Sequence, residues 1–172
     1  MPTENEVDPS APHRGLRILL VLVALVELAE ALASVQNVFT DYHHEAALLR
    51  FAQALTSVKL ALAPLVASAA AVLAVRGRTR LAICALAALV LLDWVLQDVW
   101  SIPLHGLELS LDFGGVDVFF HDVIFPAVAI AGAALALKDR RLALAGLLVR
   151  MPTLINWTVL VVFAISIMVY GF

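Results

Sequence analysis

The chain has 172 residues, 63% of them hydrophobic and 15% charged, with a formal net charge of −3 and a mean hydropathy of +0.98. A soluble domain is about half apolar and about a quarter charged, and a disordered chain is poorer still in apolar residues, so both classes are excluded. The apolar residues fall in runs long enough to cross a hydrocarbon core of about 30 Å at about 1.5 Å per helical residue. The reading is an all-α polytopic integral membrane protein of the plasma-membrane type, as in a bacterial inner membrane, with the lipid bilayer as its first partner.

Composition narrows the chemistry further. A single cysteine, Cys84, allows no intrachain disulfide, thiolate metal cluster or dithiol pair. Three methionines, Met1, Met151 and Met168, do not make a thioether copper relay. Without a basic surplus or a Lys/Arg-rich face, nucleic acid is not an expected partner.

Residues 1–15 are polar, acidic and proline-containing. A cleaved signal would carry a basic segment before a short apolar one, so this stretch reads as a mobile cytoplasmic tail. Five spans are predicted after it, at 16–39, 51–75, 81–102, 118–137 and within 142–172. The last is either one helix kinked at Pro152, or an interfacial segment over 142–151 followed by a crossing from Thr153.

Between the spans, the basic residues sort by side. Arg14, Arg17, Arg76, Arg78, Arg80, Lys138, Arg140 and Arg141 are eight of the eleven Lys and Arg; all map to one side, against Arg50 alone in the opposite loops. The positive-inside rule then predicts an N-terminus in the cytoplasm and a C-terminus outside. In the outer loop at 107–119, apolar and polar residues alternate around Gly114-Gly115, which predicts a short β-hairpin lying over the helix ends. No internal repeat is apparent.

Seven charged residues fall inside the predicted spans: Glu27, Glu30, Lys59, Asp93, Asp98, Asp122 and Arg150. A charge at mid-helix facing lipid costs about 2.5 to 3.5 kcal/mol on insertion scales, so these side chains are expected to face the bundle interior or water. Their spacing agrees. Glu27, Glu30, Ser34 and Asn37 form one stripe on span one, and Gln53, Thr56 and Lys59 form another on span two. Asp93, Gln97 and Trp100 share a face of span three, with Trp94 and Asp98 beside it, and span five offers Arg150, Thr153 and Trp157.

Depth predicts partners. Glu30, Lys59 and Asp93 all lie about 12 to 14 Å below the outer boundary, which predicts a midplane cluster, while Glu27 lies a turn deeper, where Arg150 is its natural partner. Five carboxylates against two cations leave a surplus of acids. Low dielectric disfavours a bare carboxylate, so the surplus is expected to be protonated, hydrogen-bonded, hydrated or bound to a cation.

His44, His105 and His121 map to the outer side near these acids and are the residues a divalent metal ion would use, although no spaced ligand motif is present. Cofactors are otherwise not readable from the chain. Intramembrane ionisable groups at this depth point first to a site that binds or conducts a proton, cation or small polar solute. Five spans rarely enclose a full pathway, so a homo-oligomer or membership of a larger membrane assembly is expected.

Two other readings stand beside it. One is a non-catalytic subunit or assembly factor, docking through alanine-rich helices. The other is a membrane-embedded enzyme acting on a lipid or isoprenoid-like substrate, with Asp93, Asp98, Asp122 or His121 as general acid or base.

Overall fold

The computed structural model describes residues 11–35, 47–98, 118–138 and 141–171, and these form five helices. Helix α1 is Ala11–Ser34 and α2 is Ala47–Val75. Helix α3 is Thr79–Asp93 and continues through a π turn, Trp94–Asp98. Helix α4 opens with a π turn, Phe120–Ile124, and runs on as Phe125–Leu137, and α5 is Leu142–Tyr170. Sequential helices pack on one another, and α5 closes the bundle by returning against α3 and α1, which places α3 at the centre.

Four helices are long and apolar enough to cross a membrane, α2 to α5. They are compatible with an integral membrane protein. Helix α1 is as long as a span, but it carries Arg17, Glu27 and Glu30 within its apolar stretch. It also begins at Ala11, inside the segment expected to be tail. Helix α5 is one continuous helix of 29 residues through Pro152. At about 1.5 Å per residue it runs about 43 Å, longer than a hydrocarbon core of about 30 Å. Of the expected hairpin, residues 107–117 lie outside the described residues, while Val118 and Phe119 at its end are helical.

The core is built from small side chains. Ala24, Ala70, Ala74, Ala82, Ala129, Ala136 and Ala145 are fully buried, with Leu20 and Ile83 among them, whereas Ile18, Leu22, Leu65, Ile130 and Leu147 are exposed on the outside. Such an inversion is what a lipid solvent favours. Lipid tails are as apolar as leucine, so helices there associate through close van der Waals packing, which small residues permit. Gly132 marks the tightest crossing. A Cβ there would sit 2.5 Å from Val149 Cγ2 and 3.0 Å from the Ala145 carbonyl oxygen, so α4 and α5 approach to a distance only glycine allows.

Two arginines have structural work at helix ends, where the last carbonyls lack intrahelical donors. Arg17 donates to the Val75 carbonyl at the end of α2. Arg80 donates to the Ala136 and Leu137 carbonyls at the end of α4, at 3.3 and 3.1 Å. A guanidinium there also complements the negative end of the helix dipole. Between α2 and α3, Gly77 at φ 76° closes the turn. The Arg78 N–H donates to the Leu73 carbonyl and the Gly77 N–H to the Ala74 carbonyl, the Schellman pattern that a left-handed glycine enables. Helix α5 is entered through Arg141 in the left-handed region (φ 49°, ψ 52°), which costs a non-glycine residue about 1 to 2 kcal/mol.

Candidate functional site

Four of the five helices carry a feature that frees backbone groups. Pro64 lies inside α2 and Pro152 inside α5, each without an N–H to give, while α3 ends in a π turn and α4 begins in one. In α4 the cause is Pro126. It has no N–H to give to the Asp122 carbonyl four residues earlier, and the Phe125 N–H reaches back to the Phe120 carbonyl instead. The orphaned Asp122 carbonyl accepts the Trp94 indole N–H from α3 at 2.9 Å. This bond ties the two π turns together. Irregular backbone at membrane depth is tolerated where it is buried in protein or lines a cavity, and here a cavity adjoins it.

The cavity has a volume of about 270 Å³ and is walled by residues of all five helices. At about 30 Å³ per water in the liquid, this is room for roughly nine waters or one small solute. Glu27, Glu30, Lys59 and Asp93 all line it, with Trp94, His121, Asn156 and Trp157. Its floor is apolar, formed by Val23, Leu86 and Val149.

Within this wall the charges are arranged unequally. Lys59 forms an ion pair with Asp93, joining α2 to α3. Glu27 accepts the Thr153 hydroxyl at 2.6 Å, and Glu30 accepts the Trp157 indole N–H at 3.0 Å. Both donors are neutral and both belong to α5. A carboxylate offers about four acceptor positions, so one neutral bond leaves most of each group's capacity open.

The structure places Glu27, Glu30, Lys59 and Asp93 around one cavity. Lys59 pairs with Asp93, and Glu30 also accepts the Trp157 indole N–H. The expected Glu27–Arg150 pair is not formed: Arg150 is 2% exposed, and its Nε and Nη2 atoms have no hydrogen-bond partner. The reason is the direction of the side chain. Helical side chains lean toward the N-terminus, and the Arg150 Nη2 lies 3.8 Å from where a Gly146 Cβ would stand, so the guanidinium sits beneath the cavity floor.

Asp122 contributes its backbone carbonyl and is not among the cavity-lining residues. Gln97 and Asp98 lie on the π turn of α3, with side chains outside the described part. His121 lines the cavity, its ring edge-on to Phe125 at 4.9 Å. His44 and His105 lie outside the described residues. No three His, Cys, Asp or Glu side chains gather as a metal-binding group among the described residues.

Several polar residues of the predicted stripes serve their own helices. Thr56 donates to the Ala52 carbonyl at 3.1 Å and Ser34 to the Glu30 carbonyl at 2.9 Å, the back-bonding that satisfies a hydroxyl in an apolar medium. Asn156 is a lining residue that the sequence reading passed over. Its position one turn beyond Thr153 and next to Trp157 was the available signal. Comparison with protein-family models, with curated proteins and with solved structures returns no match.

Proposed function

We propose that the chain is a five-span protein of a bacterial inner membrane, N-terminus in the cytoplasm and C-terminus outside. Its polar site, walled by all five helices, binds or conducts a proton, a cation or a small polar solute. The supporting observation is the distribution of charge around the cavity. Three carboxylates, Glu27, Glu30 and Asp93, line it with one ammonium, Lys59, which pairs with Asp93, while Glu27 and Glu30 accept from neutral donors of α5, so the wall carries a surplus of acids. The eight basic residues at the inner helix ends support the orientation.

The test is direct binding to the full chain in lipid nanodiscs. Sodium titrated at fixed pH, and proton uptake at fixed sodium, should saturate in the wild type and be lost in the Glu27→Gln, Glu30→Gln double variant. Equal uptake by both proteins would refute the reading.

A second reading is favoured by the outer half of α5. Val159, Leu160, Val161, Val162, Phe163 and Ile165 are all about half exposed or more, so this segment presents apolar surface around its whole circumference. That is what a homo-oligomer or a larger membrane assembly would cover. Native mass spectrometry from nanodiscs decides it: a monomer carrying only lipid removes this reading.

A further inference from the structure

Arg150 is a buried charge that the cavity does not use. Arginine stays ionised in proteins, and an ion taken out of water without a partner costs several kcal/mol. The atoms left unbonded, Nε and Nη2, form the side edge of the guanidinium fork, the edge that takes a carboxylate through two parallel bonds. The nearest elements pack apolar groups against it, with Leu16 of α1 and Ile83 of α3 at the same Gly146 surface.

The facing stripes of α1 and α5 show what that edge can take. On α5, Arg150, Thr153 and Trp157 follow at i, i+3 and i+7, a ladder of three donors on one face. On α1, Glu27 and Glu30 are two acceptors three residues apart. In the structure the acceptors occupy the upper two rungs, Glu27 on Thr153 and Glu30 on Trp157, which leaves the lowest rung idle. One rung down, Glu27 meets Arg150 and Glu30 meets Thr153.

The lower register is also the better matched. Glu27 to Glu30 and Arg150 to Thr153 each rise about 4.5 Å, whereas Thr153 to Trp157 rises about 6 Å. A shift of about 4.5 Å between packed helices is of the size of a one-turn ratchet, a known kind of switching motion.

We propose that α1 and α5 form a two-register switch in which Arg150 is the resting counter-charge of Glu27, displaced when a positive charge enters the cavity. The inference rests on the cavity reading above and extends it to how occupancy is sensed. In the lower register Glu27 pairs with Arg150, and the buried guanidinium is neutralised. A proton or monovalent cation on Glu27 removes that attraction, and the upper register seen here is the one it selects. The other charged or titratable groups facing Glu27 are Glu30 on its own helix, Lys59 of α2, Asp93 of α3 and His121 of α4. Lys59 and Asp93 hold each other, which leaves Arg150 as the cation on the α1–α5 seam.

Competition gives the measurable consequence. A binding-competent register that is about one-tenth populated in the empty protein weakens apparent affinity about tenfold. In nanodiscs, the Arg150→Gln variant should therefore bind sodium, or take up its proton, about tenfold more tightly than wild type, while Arg150→Lys stays within about twofold. Trp157→Phe removes a donor used only in the upper register and should weaken binding. Sodium and pH titrations run separately identify which ion acts.

A second readout does not depend on the Arg150 variants folding. With Cys84→Ser as background, cysteines at Leu16→Cys and Gly146→Cys, adjacent in the upper register, should cross-link faster when the effective ion is added. If wild type binds but Arg150→Gln binds no more tightly, or the ion leaves the cross-linking rate unchanged, the switch is overturned while the cavity reading stands. If wild type binds neither ion, both are overturned.

Discussion

The Lys59–Asp93 pair offers the sharpest energetic test, because it is the ion pair that joins two helices across the cavity. At an effective dielectric of about 20, unit charges about 4 Å apart attract by about 4 kcal/mol. The Asp93 side chain is 48% exposed and that of Lys59 20%, so solvent reduces the interaction toward the range of partly exposed pairs, and about 1 to 2 kcal/mol is expected. Replacing Lys59 with Met removes the cation and leaves Asp93 facing Glu27 and Glu30 across the cavity. Replacing Asp93 with Asn as well removes the stranded charge, so the double variant should recover about 1 to 2 kcal/mol relative to the sum of the single losses.

The assay is reversible unfolding of the full chain in mixed micelles titrated with SDS, followed by far-UV circular dichroism. A parallel cycle of Lys59→Met with Glu30→Gln serves as the comparison, because Glu30 accepts the Trp157 indole N–H. It should show a smaller coupling. Additivity within about 0.5 kcal/mol for the Asp93 cycle, or a larger coupling to Glu30, would refute this account of the site.

Three further outcomes are expected. Gly132→Ala places a methyl 2.5 Å from Val149 Cγ2 and should cost about 1 to 3 kcal/mol, with partial rescue by Val149→Ala in the same unfolding assay; no loss would show that α4 and α5 are not in close contact. Trp94→Phe strands the Asp122 carbonyl and should cost about 1 to 3 kcal/mol, but much less in a Pro126→Ala background, where the restored N–H can serve that carbonyl; equal losses in both backgrounds would rule out the proposed role of the indole. An alkaline phosphatase reporter fused after Phe172 should be active and a fluorescent protein dark, and the reverse pattern would reject the orientation.

The sequence alone carried the helices and the charged residues that line the cavity. Apolar runs over the second to fifth spans dictated helices, because in lipid every backbone polar group must be satisfied within its own segment. The i, i+3, i+7 spacing placed Glu27, Glu30 and Ser34 on one face, since that is a local property of a helix with 3.6 residues per turn. Likewise, equal depth along two helices brought Lys59 and Asp93 to one level, and the structure pairs them.

What the sequence did not carry was which partner each group takes, because that depends on how helices are rotated and how side chains lean. Glu27 was matched to Arg150 by depth of the Cα atoms alone. In the folded bundle the Arg150 side chain lies back toward Gly146, and Thr153, one turn further along α5, reaches the carboxylate first. The same limit applies to the π turn at Phe120–Ile124. Pro126 is visible in the sequence, but that its freed carbonyl is met by an indole from α3 follows from helix packing. Local periodicity fixes faces and levels; only the tertiary contacts between α1, α3, α4 and α5 fix donors to acceptors.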